Sequence, residues 1–282
     1  ILPLSDALVT NLAAKLEANF AHIRMGGTIG FAITALVLGN FLKSRPALIF
    51  VLGSAGYFLL VGFLMLLPED RERTGKSRSR ENGPDSKRIF KNKQIYLVLF
   101  LAFIMQLGMS FTGTFYSVYV ISLGYGQSIV GLSSFISAMS EVPILMCANR
   151  LIRKFGAVNL LIFSVLMMAL RLLFAGSGVL PLMLLSQLLQ SVTYMTSYYS
   201  CVMFISENVV EGKISQGQSR LAIVQAGIGA VSGNILGGLM TDRFGVHRSF
   251  MVMSACVLLT ACLNAGLVCR YNRRKKAGMC VQ

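Results

Sequence analysis

Long apolar runs separated by short polar joints dominate the chain. Predominantly hydrophobic spans lie at 26–42, 47–67, 94–122, 127–149, 156–176, 179–206, 219–241 and 248–269. A helix needs about 20 such residues to cross the hydrocarbon core of a bilayer, so the pattern predicts about eight complete transmembrane helices. Residues 1–14 (ILPLSDALVTNLAA) read as the end of one more. The joints hold Gly, Pro or charge, as in LKSRP (42–46), SLGYGQS (122–128) and GSGVLP (176–181). Joints this short make consecutive helices antiparallel neighbours. The stretch 68–93 differs, being polar, charged and without apolar periodicity, and reads as a linker. It divides the chain into 1–67, the remainder of an N-terminal helical half, and 94–282, a six-helix C-terminal half with a basic tail.

Composition narrows this to lipid. The chain is 55% hydrophobic and 13% charged, with a mean hydropathy of +0.67; an ordinary soluble domain is about a quarter charged. The net charge of +15 would suit nucleic acid, but its placement argues against that partner. Nine basic residues fall between Arg71 and Lys93 and five between Arg270 and Lys276, beside apolar spans. One choice of parity puts Lys15, Arg24, Arg150, Arg153, Lys154, Lys213 and Arg220 on the same side as these clusters. The other side keeps Lys43, Arg45, Arg243 and Arg248. The linker and C-terminus are therefore expected in the cytoplasm, and the protein in the cell membrane as a multi-pass chain. Six cysteines without a C-x-x-C pair, five of them in or beside apolar spans, read as packing residues and not as a metal site. The residues that follow Ile1 show no basic region, short apolar stretch and cleavage site, so they are not expected to be a signal peptide, and the chain is expected not to start at a natural beginning.

A repeat relates the two ends. GTIGFAITALVLGNFLKSRP (27–46) aligns without gaps to AGIGAVSGNILGGLMTDRFG (226–245), pairing Gly30 with Gly229 and Gly39 with Gly238. Each segment opens a helical pair at the end of its half. If the halves correspond, roughly 100 residues precede this sequence in an intact protein of about 12 spans, six plus six.

The sequence holds no H-E-x-x-H, phosphate-binding P-loop or G-x-S-x-G elbow. It predicts no catalytic residues, no cofactor and no enzyme, and leaves an ion gradient as the energy source for any transport. Proton coupling needs a carboxylate at membrane depth, where loss of water favours the neutral acid. Glu141, in the middle of SAMSEVPIL, is the leading proton-coupling residue; its other reading is a hydrogen-bonded lock on helix packing. Arg171, in MMALRLLF, is the basic residue deep in an apolar run. Counted from the turn near Arg153, the two differ by roughly 9 Å in height, so Arg171 either just reaches Glu141, faces solute or snorkels outward. Asp6 is a second proton candidate, with Arg24 as its alternative structural partner. Gln106, Thr112, Tyr116 and Tyr119 on one span, with Gln190, Tyr194 and Tyr198 on another, recur at helical spacing as a solute-lining face or as plain interhelical packing. Gly30, Gly39, Gly229 and Gly233 suit close helix packing.

Several stretches carry a family resemblance. PLSDAL (3–8) with HIRMGGTIGF (22–31), LGYGQSIVGLSSFISAMSEVPI (123–144) and GQSRL (217–221) resemble the fourth-to-fifth, seventh-to-eighth and eleventh helix regions of the major facilitator superfamily. The similarity is to its branch of 3-phenylpropionate and nucleoside proton symporters, with lactose permease more distant. GGLMTDRFG (237–245) resembles the family's G-x-x-x-D-R-x-G conformational motif through Gly238, Asp242, Arg243 and Gly245. In NRLIRKFG (149–156), Asn149 and Arg153 replace its Gly and Asp. Gln190 stands where relatives carry His. The resemblance implies an all-α major facilitator fold, monomeric when full length, carrying a small organic solute with protons by alternating access. A proton-driven exporter and a non-transporting membrane sensor or scaffold are the alternatives.

Overall fold

In the computed structural model, residues 20–41, 48–65, 90, 92, 94–210 and 213–276 are described. They form helices α1 (Phe20–Phe41), α2 (Leu48–Met65), α3 (Gln94–Ser122), α4 (Gln127–Phe155), α5 (Ala157–Ala175) and α6 (Leu180–Leu188). A π-helical turn (Ser191–Met195) leads into α7 (Thr196–Asn208). Next come α8 (Ile214–Ala222), a second π-helical turn (Ile223–Gly229) and α9 (Ala230–Lys276). No strand occurs among the described residues; Phe90 and Val209 make one isolated antiparallel bridge.

Helix covers each of the eight expected spans, with differences that have local causes. The span 179–206 is α6 and α7 with a π-helical turn between them. The span 127–149 extends to Phe155, so Arg153 and Lys154 ride on the last turn of α4, where the helix dipole favours cations. Gln94–Ser122, Ala157–Ala175 and Gln216–Gly266 are long and apolar enough to cross a membrane, and the last includes a break at Gly245, giving segments 230–244 and 246–276. α4 is long enough but diluted by Glu141, three basic residues and the serines at 128, 133, 134, 137 and 140. The expected partial helix at 1–14 and all of the linker except Phe90 and Asn92 lie outside the described residues.

Two joints are single glycines. Gly156 (φ 78, ψ 147) links α4 to α5, and Gly245 (φ 77, ψ 161) links the two parts of α9. Side chains are excluded from this part of conformational space. The Gly156 N–H closes α4 on the Ile152 carbonyl at 2.8 Å.

α3 and α5 form the centre of the bundle. α3 packs against α9, the second π-helical turn, α5 and α7, while α5 packs against α9, α7 and α6; α1 lies along α4. Leu101, Phe111, Leu161, Met168, Leu172 and Phe250 are buried where these helices meet. Lipid is as apolar as leucine, so close contact and polar links must supply the cohesion. A Cβ at Gly233 would stand 2.6 Å from the Leu107 carbonyl oxygen, and one at Gly229 would stand 3.0 Å from the Gln106 Cβ. The Ser254 hydroxyl donates to the Ala169 carbonyl at 2.7 Å, tying α9 to α5. At Gly30, nothing among the described residues comes within 4 Å of a Cβ built there. Its helix meets α4 through other positions. Gly39 lies on the same helix.

Candidate functional site

Glu141 and Arg171 each lie fifteen residues from Gly156, one on α4 and one on α5. At 1.5 Å per residue both stand about 22 Å from the joint. The expected offset of roughly 9 Å in height is therefore corrected: α4 continues past Arg153, and the two arms are equal in length. Glu141 is 9% exposed and Arg171 4%, and their charges lie within electrostatic reach of each other. Arg171 is turned into the bundle and does not snorkel.

The hydrogen bonds of the guanidinium go to neutral groups. Nη1 donates to the Met109 Sδ at 3.1 Å and to the Thr193 Oγ1 at 3.3 Å, and Nη2 donates to the Gln187 Oε1 at 3.5 Å. Its Nε is buried and has no hydrogen-bond partner among the described residues. Charge-assisted bonds to a carboxylate run at about 2.7–2.9 Å, so this grip is loose. Glu141 Oε1 accepts from the Gln190 Nε2 at 3.3 Å. The other end of that amide, Oε1, is buried and unpartnered.

Tyr116 extends the network to α3. Its hydroxyl pairs with the Ser133 Oγ at 3.0 Å and donates to the Met183 carbonyl at 3.3 Å. Gln187 Nε2 in turn donates to the Ser186 Oγ at 3.2 Å. Four helices and a π-helical turn thus meet in one polar cluster inside an apolar bundle. Two breaks in helical regularity flank it. Pro143, two residues past Glu141, cannot make the bond to the Met139 carbonyl that an N–H there would form. The π-helical turn resets the register between Gln190 and Tyr194.

The residues expected along a lining face are divided among several places. Tyr116 and Gln190 enter the cluster. Thr112 bonds the Gly108 carbonyl of its own helix at 2.9 Å, and Gln106 bonds Ser110 one turn along at 3.2 Å. Tyr119, one turn beyond Tyr116, pairs with the His247 Nδ1 at 3.0 Å and the Gly176 carbonyl at 3.3 Å. Tyr194 and Tyr198 stack on each other, with ring centroids 6.3 Å apart. Asp6 and the side chain of Arg24 lie outside the described residues. Gln187, Thr193 and Ser133 were not singled out from the sequence; the one signal for two of them was the polar density of SQLLQSVT (186–193). Asp242 and Arg243 are exposed at the end of segment 230–244, Gly245 forms the joint, and a Cβ at Gly238 would touch nothing within 4 Å among the described residues. The described residues hold no cluster of three or more metal-ligating side chains.

Comparison with known proteins places this architecture. The chain is 24% identical over 262 residues to the maltose permease of Geobacillus stearothermophilus, covering 92% of this chain and 66% of that protein. It is 23% identical over 263 residues to a probable 3-phenylpropionic acid transporter of Escherichia coli (92% and 68%). Against the nucleoside permease NupG of the same organism it is 25% identical over 256 residues (83% and 60%). It thus spans between 60% and 68% of the length of these relatives. These relatives are named as carriers and not as enzymes. The sequence profile of the MFS_1-like family matches residues 1–252, and with helices throughout its described length the chain belongs to that family of membrane proteins and has the major facilitator fold.

Proposed function

We propose that the protein is a proton-coupled symporter of a small organic solute, with Glu141 as the proton carrier and Arg171 as its charge partner. The observation that carries this reading is a buried carboxyl and a buried guanidinium at one level of the bundle, the guanidinium hydrogen-bonded to neutral groups and the carboxyl accepting from the Gln190 amide. A charge left in such a place costs several kcal/mol unless it is paired or neutralised. Ionised Glu141 is drawn to Arg171, and a proton arriving on Glu141 releases that attraction. A solute placing a hydrogen-bonding group at the cluster then finds the Arg171 Nε and the Gln190 Oε1 already buried and unsatisfied. Filling both recovers desolvation cost that the empty site carries. Closure around the loaded site, and release of both cargoes on the far side, completes alternating access between two helical halves.

The same reading puts the linker 68–93 and the C-terminus in the cytoplasm. Arg150, Arg153, Lys154, Lys213 and Arg220 lie toward one end of the bundle, and Arg243 and Arg248 lie toward the other. Phe90, at the close of the linker, sits under the Arg220 guanidinium, 5.2 Å from ring centroid to charge, which fastens the linker to α8. The names of the relatives suggest what to offer the protein: maltose, a nucleoside such as uridine, and 3-phenylpropionate.

The test is uptake of each labelled compound into proteoliposomes holding the full-length protein under an imposed pH gradient, acid outside. At least one accumulates inward, and Glu141→Gln abolishes accumulation while exchange across equal pH continues. Loss of preloaded solute under the same gradient identifies an exporter. Undiminished accumulation by Glu141→Gln removes that residue from the coupling.

A further inference from the structure

Gln187 belongs to no motif, yet it ties the guanidinium to α6. Its Oε1 accepts from the Arg171 Nη2 at 3.5 Å, and its Nε2 donates to the Ser186 Oγ at 3.2 Å. It is 5% exposed, on α6, one α-helical turn before Gln190, which holds Glu141. Two glutamines on adjacent turns therefore touch the two opposite charges, Gln187 the guanidinium and Gln190 the carboxyl.

We infer that Gln187 is a positioning residue that competes with Glu141 for the Arg171 guanidinium and so sets how readily Glu141 takes a proton. This rests on the reading of Glu141 as the proton carrier. The guanidinium has five N–H donors and remains charged throughout. While Gln187 and Thr193 occupy Nη2 and Nη1, an ionised Glu141 receives only part of the stabilisation that a direct pair would give. A neutral amide is a good competitor because it holds the guanidinium without cancelling its charge. The hold is also weak enough to be given up, the bond being at the long limit for its type.

Of the elements packed on α4, α5 brings Arg171 and α3 brings Tyr96, Tyr116 and Tyr119. The π-helical turn brings Tyr194, α7 brings Tyr198, Tyr199, Cys201 and Glu207, and α6 brings no titratable side chain. The described side chains of α1, 26–37, include none. Arg171 is thus the cation among the described groups whose position responds to Gln187. Removing the amide frees Arg171 toward Glu141 and favours the ionised carboxyl. Replacing it with a carboxylate captures Arg171 and favours the neutral one.

Infrared difference spectra of the full-length protein in nanodiscs, titrated across pH without solute, read the protonated carboxyl band of Glu141 directly. Each spectrum is referenced to the same protein carrying Glu141→Gln. In Gln187→Leu the band should disappear at a pH about one unit lower than in the wild type, and in the near-isosteric Gln187→Glu about one unit higher, each a tenfold change in proton affinity. Unmoved midpoints, or shifts in one direction for both variants, overturn the role of Gln187 while leaving Glu141 as a titrating group. Absence in the wild type of any band that Glu141→Gln removes instead sinks the reading of Glu141 on which the inference stands.

Discussion

The segments 27–41 and 226–244 carry the same spacing of small residues, and the structure uses them differently. In the second, Gly229 and Gly233 lie against α3, with Gly233 so close to the backbone at Leu107 that no side chain fits. In the first, Gly30 meets no described neighbour within 4 Å, and α1 rests on α4 through other positions. The next helix, α2, is still less engaged, with every residue from 50 to 63 exposed. A glycine spacing permits intimate contact but does not create it; a facing helix must be supplied. The cost of adding a methyl group therefore measures whether the facing helix is there.

That comparison can be broken by substitution, with thermal unfolding in detergent, followed by circular dichroism, as the readout. The largest effect belongs to Gly233→Ala, whose methyl meets backbone at 2.6 Å and not a yielding side chain tip. We expect a loss of about 2–3 kcal/mol. Gly245→Ala comes next, because φ 77 is strained for any residue with a Cβ although the space around it is open. Its loss should be about 1–2 kcal/mol. Gly30→Ala should be the smallest, with no loss and a gain of up to about 0.5–1 kcal/mol from helix propensity. A loss at Gly30 equal to that at Gly233 would mean that another helix closes on α1 just as α3 closes on α9.

The sequence made the helices legible and the site only in part. Apolar runs are long, and lipid imposes a minimum length, so the positions of the helices could be read directly. Glu141 and Arg171 were visible for the converse reason, as charges where charge is costly. Gln187, Thr193 and Ser133 were not, because a neutral polar side chain in a helix can satisfy itself locally, as Ser134 does on the Val130 carbonyl at 3.0 Å. The expected lining residues are divided for a geometric reason. A spacing of four implies one face only while the helix remains α, and the π-helical turn at Ser191–Met195 intervenes between Gln190 and Tyr194. Tyr116 and Tyr119 share a face but differ by a turn, and one turn is enough to change neighbours from Ser133 to His247. The height of Arg171 was misjudged because a basic RLIRK run looks like a loop, whereas it is the end of α4.

The single-glycine joint at Gly156 acts on the charges at a distance. α4 and α5 leave it as two levers about 22 Å long, bearing opposite charges at matched radius. A swing of about 5° at that pivot moves the tips by about 2 Å, on the scale by which a hydrogen bond is made or lost.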